Sequence, residues 1–517
     1  MRPVSIANRQ DVTSRPRSSS SAPLLLGIDI GTTGARAIAI DATGTVLAQA
    51  SASYPLSSPR PGWSEQDPQD WKDAGLAVLG RVAGEVNADR IAGLGLTGQM
   101  HGAVFLDAQG RVIRPALLWN DQRTASQCAE ITERVGESRL VAITGNPALT
   151  GFQAPKLLWL RDHEPEAFAR INRVLLPKDY LRLVLTGELA TDVSDASGTL
   201  FLDVGSRRWS QEILERLEIA ADWLPPVRES PDPTGSLSQD IRTRLGLSAI
   251  PVSAGAGDNA AAAIGTGIVQ EGRLSSSIGT SGVLFAHASA FNPDPSGRIH
   301  AFAHAVPQAY HLMAVTLAAG GALRWWRDLL ADAGDFETLS AAAEDVEPGA
   351  EGLLFLPYLT GERTPHRDAQ ARGAFFGLTA RHGRAHLTRA LMEGVCFSLR
   401  EGLDVMRGLG VEPTEVRAIG GGARSPLWLQ LQADIFEAPV RRPLVEEGPA
   451  YGAALLGGVA AGVFKDVNEA SAVVRMDSRP IVPDPERSGR YRELYRLYRS
   501  LYPATAGIMH TLASLNA

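Results

Sequence analysis

The residues of this 517-residue chain best suited to chemistry are two matching glycine–threonine loops and a pair of lone acidic groups. Ile30-Gly31-Thr32-Thr33-Gly34 reappears as Ile278-Gly279-Thr280-Ser281-Gly282, with Asp29 ahead of the first copy and Ser277 ahead of the second. A tight Gly/Thr turn converges backbone N–H groups on a phosphate, its glycines permit positive φ and close approach, and its hydroxyls add donors. One such loop says little. Two of them, opening two halves of a chain, suit a triphosphate held from both sides of a cleft. Asp258-Asn259 follows Gly257 and opens a run of alanines; an Asp there reads equally as a helix N-cap or as a carboxylate aimed into the cleft.

Competing motifs fall away on context. No G-x-x-x-x-G-K-[ST] occurs. Gly93–Gly98, "GLGLTG", has the dinucleotide spacing, but its glycines lie inside an apolar strand run and a further strand-like segment follows, where a phosphate-binding helix is required. His300, His304 and His311 sit in a strand–turn–strand pattern and read as scattered structural or surface histidines, not metal ligands.

The elements that must position these residues are those of an α/β protein. "LLLGIDIG", "ARAIAID" and "TVLAQASASY" predict a meander of strands, and "DPQDWKDAGLAVLGRVAGEV" a helix capped by Asp67. "LSSSIGTSGVLFAHA" repeats the hairpin. "YHLMAVTLAAGGALRWWRDLL" and "VRAIGGGARSPLWLQLQADIF" each predict strand, glycine turn, helix, and residues 384–410 predict a long amphipathic helix. The repeated opening suggests duplicated domains, 23–268 and 269–517, preceded by a disordered extension over 1–22 that lacks the apolar core of a secretory signal.

Size and composition agree. A 55.0 kDa chain exceeds one compact core. A net charge of −7 gives no basic surface for nucleic acid. Two distant cysteines, Cys128 and Cys396, form neither a disulfide framework nor a zinc motif, and no apolar run reaches spanning length, so a cytoplasmic protein without membrane partners is expected.

Together these stretches resemble the FGGY carbohydrate kinases of the actin/Hsp70/hexokinase superfamily, over residues 24 to about 480. "GIDIGTTGARAIAID" and "SIGTSGVLF" are similar to the family's two phosphate loops, "IGGGARSPLWLQLQADIF" to its adenosine-side loop, and "GDNAAAAIG" and "EGPAYGAALLGGVAAG" to its two interdomain helices. The resemblance implies two ribonuclease-H-like (actin-like ATPase) domains around a central cleft, with ATP and Mg²⁺ as cofactors. "TGQMHG", "WNDQR", "LPKDYLR" and "LPYLTGERTPH" imply phosphorylation of D-xylulose to D-xylulose 5-phosphate; ribulose, erythritol and gluconate are the alternative substrates. A nucleotide-switched sugar sensor is the alternative from another class, and no peptide-binding or helix-turn-helix stretch supports it.

The resemblance also implies roles. Asp258 would be the general base, and Met100 and His101, with Asn259, would contact the sugar. Gly31, Thr32, Thr33, Gly279, Thr280 and Gly321 would serve the phosphates, and Gly421, Gly422 and Ser425 the adenosine. Asp29 would otherwise repel a triphosphate, so it would hold Mg²⁺ through waters; a turn Asp bonded to its own backbone is the other reading. Arg36 alternates with apolar residues and is expected to be structural, as are "GERTPH" and "RWWRD", placed as scaffolding near the nucleotide. Gln153, Ala262 and Tyr451 depart from the usual residues at their positions. Oligomeric state is left open between monomer and homodimer.

Overall fold

The computed structural model of the chain describes residues 22–515 except 331, 333, 446 and 447. All but the last residue of the expected extension therefore lies outside the described residues.

β1 (Leu24–Ile30), β2 (Gly34–Asp41) and β3 (Val46–Ser53) form the predicted antiparallel meander. β3 alternates buried and open positions, the mark of a strand with one face to solvent, whereas β1 is buried almost throughout. α1 (Pro68–Glu85) begins where Asp67 accepts the Gln69 amide at 2.9 Å. It lays Trp71, Leu76, Leu79 and Val82 on the meander, each aliphatic chain worth roughly 1.5–3 kcal/mol of burial. β4 (Ile91–Gly98) returns parallel to β1. After α2 (Gln153–His163) and α3 (Pro177–Thr186), β5 (Pro233–Ser236) and β6 (Pro251–Ser253) complete the order β5-β6-β4-β1-β2-β3. β7 (Ala256–Gly257) also pairs with β4 and leads directly into α4 (Asp258–Gly265).

The second half repeats this plan with β8 (Arg273–Ile278), β9 (Gly282–Ala288), β10 (His300–Ala303) and β11 (Tyr310–Thr316). α5 (Gly320–Leu329), α6 (Arg384–Gly408), β12 (Glu415–Ile419), α7 (Pro426–Phe436) and β13 (Val440–Arg441) follow. The sheet order is β10-β11-β9-β8-β12-β13. β3-β2-β1-β4-β6 and β11-β9-β8-β12-β13 thus share one succession of antiparallel, antiparallel, parallel and parallel pairings. This is the ribonuclease-H-like arrangement, present twice.

Two helices lock the halves together. α8 (Gly448–Ala460), from the second half, lies on the first sheet, while α9 (Pro485–Ser514) packs on the second half. A Cβ on Gly95 would stand 1.6 Å from the Ala453 carbonyl oxygen, and one on Gly452 would stand 1.7 Å from that of Ala261 in α4. Gly93 and Gly95 of "GLGLTG" are therefore seats for the α8 backbone, Gly98 faces Ile30 of β1, and the dinucleotide spacing is incidental. The three histidines lie in the core as expected: His300 Nδ1 is 2.7 Å from Asn146 Oδ1, His304 Nε2 is 2.9 Å from the Ile268 oxygen, and His311 stacks on Phe285 with ring centres 4.1 Å apart.

Gly95→Ala should lower stability by about 3 kcal/mol or more, because backbone cannot yield as a side chain does. Gly84→Ala, on an open face of α1 with nothing within 4 Å of its new methyl, should be neutral or stabilising. Thermal melting of both proteins checks this, and equal melting points would contradict it.

Candidate active site

A cavity of ≈ 670 Å³ opens between the halves, walled by Arg36, Asp258 and Asn259 on one side and by Ser277, Gly421 and Arg424 on the other. The two Gly-Thr loops close the hairpins beside it. The Gly31 amide donates to the Gly34 oxygen at 3.1 Å, and the Gly279 amide to the Ser281 oxygen at 3.0 Å.

None of Gly31, Gly34, Gly279 and Gly282 has positive φ, so of the two freedoms that glycine offers the loops do not use the left-handed one. What the loops need is room. A Cβ on Gly34 would meet the Ala52 oxygen at 2.5 Å, whereas one on Gly31 or Gly279 would make only ordinary contacts, at 3.4 and 3.7 Å. Thr32 is tied inward: its hydroxyl donates to Gln99 Oε1 at 3.2 Å and accepts Trp119 Nε1 at 3.0 Å, and the Tyr54 hydroxyl donates to the Gly31 oxygen. Thr33, Gly279 and Thr280 are exposed. The Gly321 amide is spent on the Thr280 oxygen at 3.0 Å, so it braces the second loop.

Asp29 lies in β1 between Arg36 on β2 and Thr97 on β4. Its Oδ1 is buried without a hydrogen-bond partner, which departs from a turn Asp bonded to its own backbone. Burial raises its pKa to about 7, the Asp258 charge adds to this, and Arg36 opposes it. Asp258 is the first residue of α4, and Gly257 takes the N-cap place, so the capping reading gives way. Asp258 Oδ1 accepts the Asn259 amide at 2.7 Å and Asn259 Nδ2 at 2.9 Å. Burial raises it to about 6 against those two donors. An orphaned buried carboxylate oxygen, with a second carboxylate repelling it, fits a hydrated divalent cation held through waters at Asp29.

Met100 packs on the turn that leads into α4, where a Cβ on Gly257 would stand 2.8 Å from its Cγ. His101 has φ 67, and its carbonyl accepts Lys156 Nζ at 3.1 Å. Its Nδ1 is 2.8 Å from the Gly198 oxygen. A carbonyl only accepts, and burial pushes the imidazole down to about 3, so the ring is neutral with the proton on Nδ1. Nε2 keeps a lone pair that can accept from a hydroxyl.

On the other wall Gly421 is exposed to the cavity, but Gly422 and Ser425 turn to support. A Cβ on Gly422 would press on Ile278 at 2.6 Å, and Ser425 caps α7 through the Trp428 amide at 3.3 Å. Arg36 does more than the structural role expected of it: it reaches the cavity and its charge acts on Asp29. In "GERTPH", Glu362 buttresses Thr316 Oγ1 at 2.5 Å and the Leu317 amide at 3.0 Å, as scaffolding should. The Arg363 charge acts on His101 and His300, so this loop also serves the Met-His side. Gln153 is a buried tie between the Gly102 and Leu175 oxygens, at 2.9 and 3.1 Å. Tyr451 donates to the Gly44 oxygen at 2.9 Å, and Ala262 lines the cavity.

Sequence reasoning missed a wholly buried ion cluster behind the base candidate. Lys178 Nζ lies 2.6 Å from Asp179, 2.9 Å from Asp192 and 3.5 Å from Asp195. A run such as "LPKDYLR" gives no sign that its charges will be buried.

The models for the N-terminal and C-terminal domains of the FGGY family of carbohydrate kinases match residues 24–265 and 274–461. The chain is 44% identical to the xylulose kinase of Escherichia coli over 488 residues, 93% of this chain and 100% of that one. It is 41% identical to the xylulose kinase of Lactococcus lactis over 500 residues, 95% of this chain and 99% of its relative. The crystal structure of a xyloylose kinase from Brucella ovis superposes with a TM-score of 0.89 at 41% identity, over 94% of this chain and 100% of that one. With both domain models matched across the cleft that holds Asp29 and Asp258, the chain belongs to the FGGY family of carbohydrate kinases.

Proposed function

We propose that this carbohydrate kinase transfers the γ-phosphoryl group of ATP to the 5-hydroxyl of D-xylulose, with residues 23–268 as the sugar side and 269–517 as the nucleotide side. The observation that carries the reading is Asp258, a carboxylate with its pKa raised to about 6 at the cavity wall, next to the Gly257 turn on which Met100 packs. Xylulose is favoured by the two xylulose kinases at 44% and 41% identity over nearly the full chain.

The mechanism follows from positioning. Phosphoryl transfer asks a protein for an aligned hydroxyl, an acceptor for its proton and compensation of phosphate charge. His101 Nε2 accepts from a sugar hydroxyl while Met100 covers the carbon face. The attacking hydroxyl gives its proton to Asp258, which is ionised at neutral pH and basic enough to take it. The loops at Gly31 and Gly279, with Thr33 and Thr280, suit the phosphates, and Gly421 the adenosine. Mg²⁺ bound near Asp29 would neutralise triphosphate charge. Closure of the halves would exclude water as a competing acceptor. The protein is expected to work in the cytoplasm.

ADP release measured with D-xylulose, D-ribulose, erythritol and gluconate tests the substrate. D-xylulose should give the highest kcat/KM, and no sugar-dependent release would return the sensor reading. Asp258→Asn should lower kcat at least about 10²-fold with little change in ATP binding. Protonation below about 6 removes the base, so the parent's kcat should fall as pH drops through that value, and the variant should lack this limb. Parent-like turnover by the variant would end the assignment. Protons and Mg²⁺ compete for Asp29, so the limb near 7 that this residue contributes should move to lower pH as Mg²⁺ rises. Asp29→Asn should need roughly tenfold more Mg²⁺ for half-maximal rate; overlapping Mg²⁺ titrations would contradict the metal role.

A further inference from the structure

The cluster around Lys178 is wired to the turn that carries Asp258. Lys178 Nζ pairs with Asp192 Oδ1 at 2.9 Å. Asp192 Oδ2 accepts three bonds: the Ser194 amide at 2.8 Å, the Ser194 hydroxyl at 2.5 Å and the Ser230 hydroxyl at 2.8 Å. With its proton committed to Asp192, the Ser194 oxygen is left as an acceptor, and the Gly257 amide donates to it at 3.3 Å. Gly257 is the N-cap of α4, and Asp258 is the next residue.

The same cluster grips the chain just upstream. Arg182 donates to the Ser253 oxygen at 2.8 Å and to the Ala254 oxygen, and the Gly255 amide bonds to the Ser230 oxygen at 2.9 Å. Lys178, Arg182, Asp192, Ser194 and Ser230 are all fully buried. Desolvating several charges is costly, and replacing such a cluster with apolar residues of similar volume is often neutral or stabilising. Stability therefore does not explain its presence. Its bonds converge instead on the segment from Ser253 to Gly257, which ends at the candidate base.

We propose that Ser194, held by the Asp192–Lys178 pair, is a positioning residue for Asp258: through the Gly257 amide it sets where α4 begins and so where the carboxylate points. This rests on the reading of Asp258 as the base. Ser194→Ala separates the two ideas, because it leaves Asp192 with the Ser194 amide and the Ser230 hydroxyl as donors and its Lys178 pair intact.

Ser194→Ala should lower kcat by about ten- to hundredfold, since small displacements at a reacting group carry that penalty, while KM for ATP stays within about twofold. In an Asp258→Asn background the same substitution should cost less than about twofold, because residues acting as one unit are not additive. Hydrogen–deuterium exchange, which does not depend on activity, should rise in the Ser194→Ala protein at the amides of Gly257 and Asn259, with other segments unchanged. A kcat loss under about threefold, or an equal loss in both backgrounds, would overturn the positioning role; exchange that rises across the whole first sheet would do so too, as a general loss of structure. Parent-like turnover of Asp258→Asn alone would instead overturn the base, whatever Ser194→Ala does.

Discussion

Backbone contact between α8, the first sheet and α4 is the constraint on which the rest depends. At Gly27, Gly95 and Gly452 a side chain as small as a methyl would meet a carbonyl at 2.0, 1.6 and 1.7 Å. A helix from the second half is thereby seated on the sheet of the first, and α4 is fixed against it. α4 begins with Asp258, and the sheet beneath α8 carries Asp29 in β1. The contact that joins the halves thus also fixes the spacing of the two carboxylates. Close packing of small residues is stiff, which suits a wall that must keep the spacing of Asp29 and Asp258.

Electrostatics at that wall follow from burial. Asp29 and Asp258 are both raised, to about 7 and about 6, and the charge of Asp258 contributes to the shift at Asp29. In the proposed mechanism, one carboxylate basic enough to accept a proton and another with an orphaned oxygen would divide the work between proton transfer and cation binding. The duplicated loop shows why one charge suffices. Asp29 and Ser277 hold equivalent places ahead of their turns, yet Asp29 brings a carboxylate that the Asp258 charge opposes, while Ser277 brings a neutral hydroxyl to the cavity lining. His101 completes the division as a neutral acceptor, its tautomer set by the Gly198 carbonyl.

Much of this was legible in the sequence, because its signals are local. Alternation in "ARAIAID", the Asp67 cap and the two Gly-Thr turns gave β2, α1 and both hairpins, and the Asp-Asn pair fell at the start of a helix. What was not legible depends on contacts between distant segments. "GAALLGGVAAG" is small-residue all round, so no face of it declares a partner, and nothing in it says that it will lie on the sheet of the other half. Lys178, Asp179 and Arg182 read as ordinary charges until Asp192 and Asp195 bury them. Ser425 and Gly321 sit in phosphate- and adenosine-like strings but spend their polar groups on α7 and on the second loop. The loop glycines were read for positive φ and for close approach, and at Gly34 and Gly282 the structure uses only the second.

The proposed mechanism turns on Asp258 receiving the proton of the attacking hydroxyl. A crystal structure of the Asp258→Asn protein with D-xylulose, Mg²⁺ and a non-hydrolysable ATP analogue tests that geometry without recourse to rates. The side-chain oxygen of the substituted residue should lie within about 2.6–3.2 Å of O5, with O5 in line with the γ-phosphorus. A sugar bound with O5 facing away from this position, beyond the reach of a hydrogen bond or one bridging water, would refute the assignment of Asp258 as the base.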